Sequence, residues 1–124
     1  MSFTFEQEYL TIIPMIPIPV KEIDIAKMRK VFETFPQVSI ALLFGSRAAN
    51  SAHRFSDYNF AIVADVDRWE FGRLWVEIAH RLGVGEDDID LIDLTTASKG
   101  LKKSIKEHYI LLKGNENELA RLLE

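Results

Sequence analysis

The chain has 124 residues, 48% of them hydrophobic, a size and composition that suit one domain with one core. Fifteen basic and nineteen acidic residues give a net charge of −4, which argues against direct, nonspecific nucleic-acid binding, a function typical of basic domains. The sequence has no cysteine, so disulfide bonds and thiolate metal sites are excluded.

Membrane and secretory classes are also disfavoured. No apolar run approaches the ~20 residues that are needed to span a bilayer. Residues 1–6 lack the basic and apolar regions that are typical of a signal peptide. We therefore expect a cytoplasmic protein that has no membrane partner.

The first third of the chain predicts an extended arm, a helix and a buried strand. Residues 8–20 alternate prolines with aliphatic side chains, which excludes a helix and leaves an apolar arm that its own domain or a partner must cover. Apolar residues follow helical spacing from residue 23 to residue 35, with Asp24 near the start and Pro36 at the end. Val38–Phe44 is almost continuously apolar, as is typical of a strand covered on both faces.

The remaining elements continue this alternation of helix and strand. We predict a short helix or turn at 46–52, strands at 57–64, 89–95 and 109–112, and helices from Asp65 or Asp67 to Leu82, at 97–108 and at 116–123. Gly83 and Gly85 would end the longest of these helices. This order predicts an α/β or α+β domain in which helices pack on a small mixed β-sheet.

The junction between the first two strands contains Gly45 and Ser46. Glycine permits backbone angles closed to other residues and lets a ligand approach the main chain, and the serine hydroxyl can donate to a phosphate oxygen. The N–H groups that follow would lie at a helix N-terminus, where an anion such as a nucleotide phosphate is favoured. The positive charge of Arg47 would reinforce this nucleotide-binding site. A Gly-Ser pair is also common in ordinary strand-to-helix turns, and that alternative stays open at this point.

Carboxylate and amide side chains stand at the start of the second and third strands. Asp57 and Asn59 are two residues apart, so they project from the same face of a strand. Such a pair, completed by a carboxylate from a neighbouring strand, can hold the divalent ions of phosphoryl or nucleotidyl transfer. Asp90 is the best candidate for that third ligand. We interpret Asp88, which shares its face, and Asp93, which does not, as solvated strand ends.

These residues together resemble the minimal nucleotidyltransferases of the DNA polymerase beta superfamily, a group that includes the MntA-type antitoxins paired with HEPN-domain toxins. That family carries Gly-Ser, ten further residues, Asp-x-Asp, and a third Asp in a later hydrophobic strand. The present sequence has Gly45-Ser46, ten residues, Asp57-Tyr58-Asn59, and later the strand Ile89-Asp90-Leu91-Ile92-Asp93-Leu94. The resemblance covers about residues 23–113 as the nucleotidyltransferase domain, with 1–22 as a separate arm and 114–124 as a C-terminal helix.

The resemblance implies transfer of a nucleoside monophosphate, usually AMP from ATP, to a hydroxyl group, which in the MntA-type systems is a tyrosine of the toxin. Carried over by position, Gly45 and Ser46 would hold the triphosphate. The implied Mg²⁺ ligands are Asp57, Asn59 and Asp90, of which Asp57 and Asp90 are also the implied catalytic residues. Asp90 would bind the catalytic ion and help to deprotonate the nucleophile.

Asn59 departs from the family pattern, which has a carboxylate at that position. An amide oxygen can coordinate Mg²⁺, but it is neutral and cannot bridge two ions as a carboxylate does. Three functions therefore stay open: an active nucleotidyltransferase that modifies a partner protein, a catalytically degraded member that binds a partner such as a HEPN-type toxin, and a dimeric nucleotide sensor. We expect a homo- or hetero-oligomer.

The long helix that ends at Leu82 is rich in large apolar side chains. They are Trp69, Phe71, Leu74, Trp75 and Ile78. We interpret them mainly as core residues, with a partner interface as the alternative, because exposed aromatic patches often mark such interfaces.

Overall fold

The computed structural model describes residues 23–52 and 56–124. The predicted arm, whether taken as 8–20 or as the whole of 1–22, therefore lies outside the described residues. In the part of the chain that is described, no helix is both long and apolar enough to cross a membrane.

The described residues form four α-helices and four β-strands. In chain order these are α1 Ile25–Glu33, β1 Val38–Phe44, β2 Tyr58–Ala64, α2 Arg68–Leu82, β3 Ile89–Asp93, α3 Lys99–Glu107, β4 Tyr109–Lys113 and α4 Glu116–Leu122. Single 3₁₀ turns lie at Gly45–Arg47, Glu86–Asp88 and Leu94–Thr96. The predicted helices and strands in this part of the chain are therefore confirmed, with ends that shift by a few residues.

The four described strands form one mixed sheet in the order β3–β2–β1–β4. β1 is antiparallel to both β2 and β4, whereas β2 and β3 are parallel. A parallel pair needs a crossover connection, and α2 supplies it between β2 and β3. The fold is thus of the predicted class, an α+β domain with helices packed on a small mixed sheet.

Helices cover both faces of the sheet, so alternate residues of each strand enter different hydrophobic clusters. On one face, here called the rear face, Tyr58 and Phe60 of β2 pack with residues of α1 and α2. On the other, here called the front face, Ala61 packs with residues of α3 and α4. Asn59 stands between Tyr58 and Phe60 and therefore belongs to the front face by strand alternation.

Capping side chains explain where the helices begin. The side chains of Asp24, Asp67 and Ser98 accept hydrogen bonds from first-turn N–H groups of α1, α2 and α3, and Asn115 does the same for α4. α2 ends at Gly83, whose φ of 78° is a left-handed angle that glycine adopts readily. Of the two predicted starts of α2, Asp67 is therefore the cap.

The helix α2 contributes only part of its large side chains to the core. Leu74 and Ile78 are buried, and Trp75 is half-buried, with its Nε1 donating to the Glu86 carbonyl at 3.2 Å. Trp69, by contrast, is 76% exposed. Its assignment to the core is wrong because, at 3.6 residues per turn, it lies on the opposite side of the helix axis from Ile78.

Candidate functional site

The turn that follows β1 is closed by its own backbone. Gly45 has a φ of 81°, and its carbonyl accepts hydrogen bonds from the N–H groups of Ala48 and Ala49. The Ser51 N–H donates to the Ser46 carbonyl at 2.9 Å. A left-handed φ is strained for residues that carry a Cβ atom, which explains the glycine. The Gly-Ser pair therefore forms a compact turn at the end of β1, as predicted.

Asn59 lies directly against this turn. A Cβ atom built on Gly45 would come within 2.7 Å of Asn59 Nδ2, a separation that real Cβ atoms essentially never show. Glycine at position 45 is therefore needed for space as well as for its backbone angle. The side chain of Asn59 is half-buried as a result of this contact and of its place in the sheet.

The strand register places Asp90 beside Asn59. Asn59 pairs with Phe44 across the β1–β2 ladder and with Asp90 across the parallel β2–β3 ladder. Neighbouring strands lie about 4.8 Å apart, so the side chains of Asn59 and Asp90 are adjacent on the front face. Asp57, two residues before Asn59, lies immediately before the first residue of β2. The sheet thus brings Asn59 and Asp90 together next to Gly45, with Asp57 one residue before the strand that carries Asn59.

The two carboxylates of this group are exposed. Among the described residues, neither Asp57 nor Asp90 forms an ion pair or a side-chain hydrogen bond. Two nearby negative charges favour a cation between them. Mg²⁺ is commonly held by one or two carboxylates together with water and substrate phosphates, so two carboxylates and an amide fit it. No cluster of three or more acidic, histidine or cysteine side chains that could hold a metal occurs within 23–52 and 56–124.

Asp88 and Asp93 serve local turns. Asp88 Oδ2 accepts a hydrogen bond from the Gly85 N–H, and Asp93 Oδ1 accepts one from the Thr95 N–H, both at 3.0 Å. Asp93 also lies three residues after Asp90, which puts it on the other face of β3. Both contacts agree with the interpretation of these two residues as strand ends.

Arg47 is turned towards the rear face, away from the two carboxylates. Its Nη2 donates to the Ser56 carbonyl at 2.8 Å, and its Cζ lies 4.2 Å from the centroid of the Tyr58 ring. A cavity of about 280 Å³ adjoins Arg47 and Tyr58 there, and none of the three predicted metal ligands lines it. The sequence analysis did not identify Tyr58 as a residue of the site. The signal was its position, because a residue immediately after Asp57 can orient Asp57.

Comparison with known proteins places the chain in a family. Residues 26–118 match the family model described as polymerase beta, nucleotidyltransferase. The protein adenylyltransferase MntA of Shewanella oneidensis is 31% identical over 78 residues, which are 59% of this chain and 52% of that protein. The chain therefore spans about half the length of this curated relative.

Solved structures share the fold. A crystal structure of a toxin–antitoxin with AMP-PNP matches with a TM-score of 0.66 and 26% identity, covering 81% of this chain and 81% of that chain. The tri-AMPylated Shewanella oneidensis HEPN toxin in complex with MNT antitoxin matches with a TM-score of 0.57 and 24% identity, covering 80% of this chain and 76% of that chain, which shows the fold alone. Since the family model spans α1 to the start of α4 and includes the whole sheet, the chain belongs to the polymerase beta nucleotidyltransferase family.

Proposed function

We propose that this protein binds a nucleoside triphosphate, with ATP as the expected substrate, and transfers its nucleoside monophosphate to a hydroxyl group of a partner protein. The observation that carries this function is the register of the sheet, which sets Asp90 beside Asn59 and Asn59 against Gly45. Family membership supports the same chemistry, and the similar protein MntA is an adenylyltransferase by name.

The residues around the turn would receive the triphosphate. Ser46 would donate its hydroxyl to a phosphate oxygen, and Gly45, which has no side chain, would let the phosphate approach the backbone. A direct nucleotide contact of Arg47 stays a prediction, because its guanidinium is already engaged with Ser56 and Tyr58.

Asp57, Asn59 and Asp90 would hold Mg²⁺, which when bound opposes the negative charge that develops on the phosphate and on the leaving group. The acceptor hydroxyl oxygen forms a bond to the α-phosphorus while the bond from that phosphorus to pyrophosphate breaks. The proton of the hydroxyl passes to a carboxylate, and we assign that role to Asp90. Exposure of the Asp90 side chain leaves room for an acceptor to reach it.

We infer that the acceptor belongs to a HEPN-type toxin for which this protein is the antitoxin. One similar solved structure is a toxin–antitoxin with AMP-PNP, and another contains a tri-AMPylated HEPN toxin in complex with MNT antitoxin. A hetero-oligomer located in the cytoplasm is part of this proposal.

Asn59 favours a second candidate, a degraded member that binds a partner or a nucleotide without catalysis. Its amide is neutral, so the group at the end of the sheet carries one negative charge fewer than the family pattern provides. A loss of only ~1.4 kcal/mol of transition-state stabilisation lowers a rate tenfold. In this second candidate the missing charge silences transfer, while the contact of Asn59 with Gly45 is kept.

Calorimetry of ATP binding with Mg²⁺, on the native protein and on Asn59→Asp in parallel, separates the two candidates. An active enzyme binds ATP in a metal-dependent way, and Asn59→Asp strengthens that binding by about tenfold, or ~1.4 kcal/mol. AMP transfer to a co-purified HEPN partner is then measured, with Asp57→Asn as the inactive control. Binding by Asn59→Asp alone, or binding by the native protein without AMP transfer, identifies the degraded member, whereas binding by neither protein refutes the nucleotide function.

A further inference from the structure

Arg47 connects the turn after β1 to the start of β2. Its Nη2 donates to the Ser56 carbonyl at 2.8 Å, and its guanidinium lies over the Tyr58 ring, with 4.2 Å between Cζ and the ring centroid. Ser56 and Tyr58 are the residues immediately before and after Asp57. Arg47 therefore contacts the chain on both sides of a proposed metal ligand. We call the group formed by Arg47, Ser56 and Tyr58 the clasp.

The clasp is anchored in the core at its Tyr58 end. Tyr58 is 5% exposed, and its ring lies nearly parallel to that of Phe60, with centroids 6.4 Å apart. The Tyr58 hydroxyl accepts a hydrogen bond from the Ile23 N–H at 3.2 Å. Because these contacts restrict the tyrosine ring, Arg47 stacks on a fixed surface.

Asp57 itself has few other constraints. It is exposed and precedes β2, whose pairing with β3 begins at Tyr58 and Ile89. The turn Gly45–Arg47, in contrast, is closed by its own backbone hydrogen bonds. The Arg47 side chain starts in this turn and contacts both neighbours of Asp57. It therefore limits how far Asp57 can move away from the turn.

Arg47 leaves one donor unsatisfied in this arrangement. Its Nε is buried and has no hydrogen-bond partner among the residues that the structure describes. A buried donor without a partner lowers the stability of the folded state, which offsets part of what the contacts with Ser56 and Tyr58 contribute.

We propose, building on the nucleotide function proposed above, that Arg47 is a positioning residue which holds the Asp57 carboxylate at a fixed separation from the turn that receives the triphosphate. It acts through the clasp on the rear face and not through contact with the nucleotide. Partners that orient metal ligands in this way contribute about 10–100-fold to metal affinity. Loss of the clasp should thus weaken the metal dependence of ATP binding and spare binding of ATP without metal.

Titration of ATP binding with Mg²⁺ in Arg47→Lys and Tyr58→Leu tests this role. Lysine keeps the charge that a direct phosphate contact needs, but it lacks the planar group that donates to Ser56 while it stacks on a ring. Tyr58→Leu removes the stacking surface from the face of β2 opposite Asn59. We expect each variant to raise the Mg²⁺ concentration at half-saturation about tenfold, and the double variant to add little, because both changes break one clasp.

Arg73→Lys is the matched control, because it makes the same change at an exposed position of α2 where the arginine forms no described hydrogen bond or ion pair. Its metal dependence should be native, and urea unfolding checks that every variant is folded. The inference is overturned if Arg47→Lys keeps the native metal dependence. It is also overturned if Arg47→Lys weakens metal-free ATP binding while Tyr58→Leu is native, since that result identifies a direct nucleotide contact.

A second measurement separates this inference from the nucleotide function itself. Amide hydrogen exchange at Asp57 and Tyr58, without any ligand, should be faster in Arg47→Lys than in the native protein, while exchange in α3 stays the same. If the native protein binds no ATP, faster exchange at these two residues still supports the clasp. Unchanged exchange there overturns it.

Discussion

At Gly45 an added methyl group is opposed both by the backbone angle and by a close contact. The φ of 81° is a left-handed angle, and the new Cβ would lie 2.7 Å from Asn59 Nδ2. We expect Gly45→Ala to lower the free energy of unfolding by about 1–3 kcal/mol. It should also weaken metal-dependent ATP binding, because Asn59 must move away from the turn. Urea unfolding measures the first effect and calorimetry the second.

Gly72 offers a matched control for this substitution. It lies inside α2, and a Cβ built there has no atom within 4 Å beyond its own neighbourhood in the helix. Gly72→Ala should therefore raise the free energy of unfolding by about 0.5–1 kcal/mol, since alanine is the better helix former. Similar effects of the two substitutions would contradict the special geometry assigned to Gly45.

Between elements, β4 is tied to the end of α1 by Lys113. The half-buried Lys113 Nζ donates to the carbonyls of Phe32 and Phe35 at 3.3 and 2.9 Å. These carbonyls lie at and just beyond the helix end and also accept from the N–H groups of Phe35 and Val38, so Lys113 adds a second, charged donor to each. We expect Lys113→Met, which keeps an apolar stem, to lower the free energy of unfolding by about 1–2 kcal/mol in urea titrations.

The control for Lys113 lies on the exposed side of α3. Lys106→Met removes the same charge at a position that is exposed and makes no described hydrogen bond. Its effect on the free energy of unfolding should stay within about 0.5 kcal/mol. A loss as large as that of Lys113→Met would mean that net charge, and not the bonds to α1, determines the result.

The contact between β4 and α4 predicts a pH dependence of stability. The Tyr109 hydroxyl donates to the Glu116 carboxylate, and this hydrogen bond, with burial and the carboxylate charge, raises the pKa of Tyr109 above 10.0. The folded state therefore keeps this proton where the unfolded state has lost it. The stabilisation is complete below pH 10.0 and is lost as the pH rises through the folded-state pKa.

Tyr109→Phe and Glu116→Gln test that dependence. Native stability in urea should fall above pH 10.0 more steeply than that of Tyr109→Phe, which has no proton to lose at this position. Glu116→Gln should reduce the difference, because a neutral amide raises the tyrosine pKa less than a carboxylate does. Equal slopes for the native protein and Tyr109→Phe would refute the assignment.

Local pattern was enough to predict most elements. The apolar runs of β1 and β2 and the capping residue Asp67 act within a few positions, so they can be recognised without knowledge of the fold. The shared face of Asp57 and Asn59, which their two-residue spacing indicates, stays a prediction because Asp57 lies just before β2. The choice of Asp90 as their neighbour required a parallel β3 next to β2, and the structure supplies that register.

Other features depend on contacts distant in sequence and were out of reach. The contact of Arg47 with Tyr58 depends on how the chain leaves the turn and returns to β2, and the predicted contact of Arg47 with the nucleotide stays a prediction. Trp69 was interpreted as core because its helix is rich in aromatic residues. Which of those residues faces the sheet depends on the rotation of α2, and a helix apolar on several sides does not specify that rotation.

For the molecule as a whole, the two faces of the sheet carry different groups of residues. The front face carries Asn59 and Asp90 at the end where β1 leads into the turn, and α3 and α4 cover the rest of that face. The rear face holds the clasp and the larger hydrophobic cluster with α1 and α2. The chemistry proposed for the front face would thus be supported by the clasp on the rear face, and the outer side of α2 belongs to neither.

Trp69 reports on that outer side of α2. It is 76% exposed, and Val76, two turns further along the same side of the helix, is 48% exposed. The chain has two tryptophans, so Trp75→Phe leaves Trp69 as the sole one. We expect the fluorescence of Trp69 to be quenched freely by acrylamide in dilute protein and to become protected if the proposed toxin, or a second copy, covers α2.

The control variant Trp69→Phe retains the half-buried Trp75, whose fluorescence should stay shielded both in the dilute protein and in the complex. Shielding of Trp69 in the dilute protein would contradict its exposure, and free quenching in the complex would locate the partner interface away from α2.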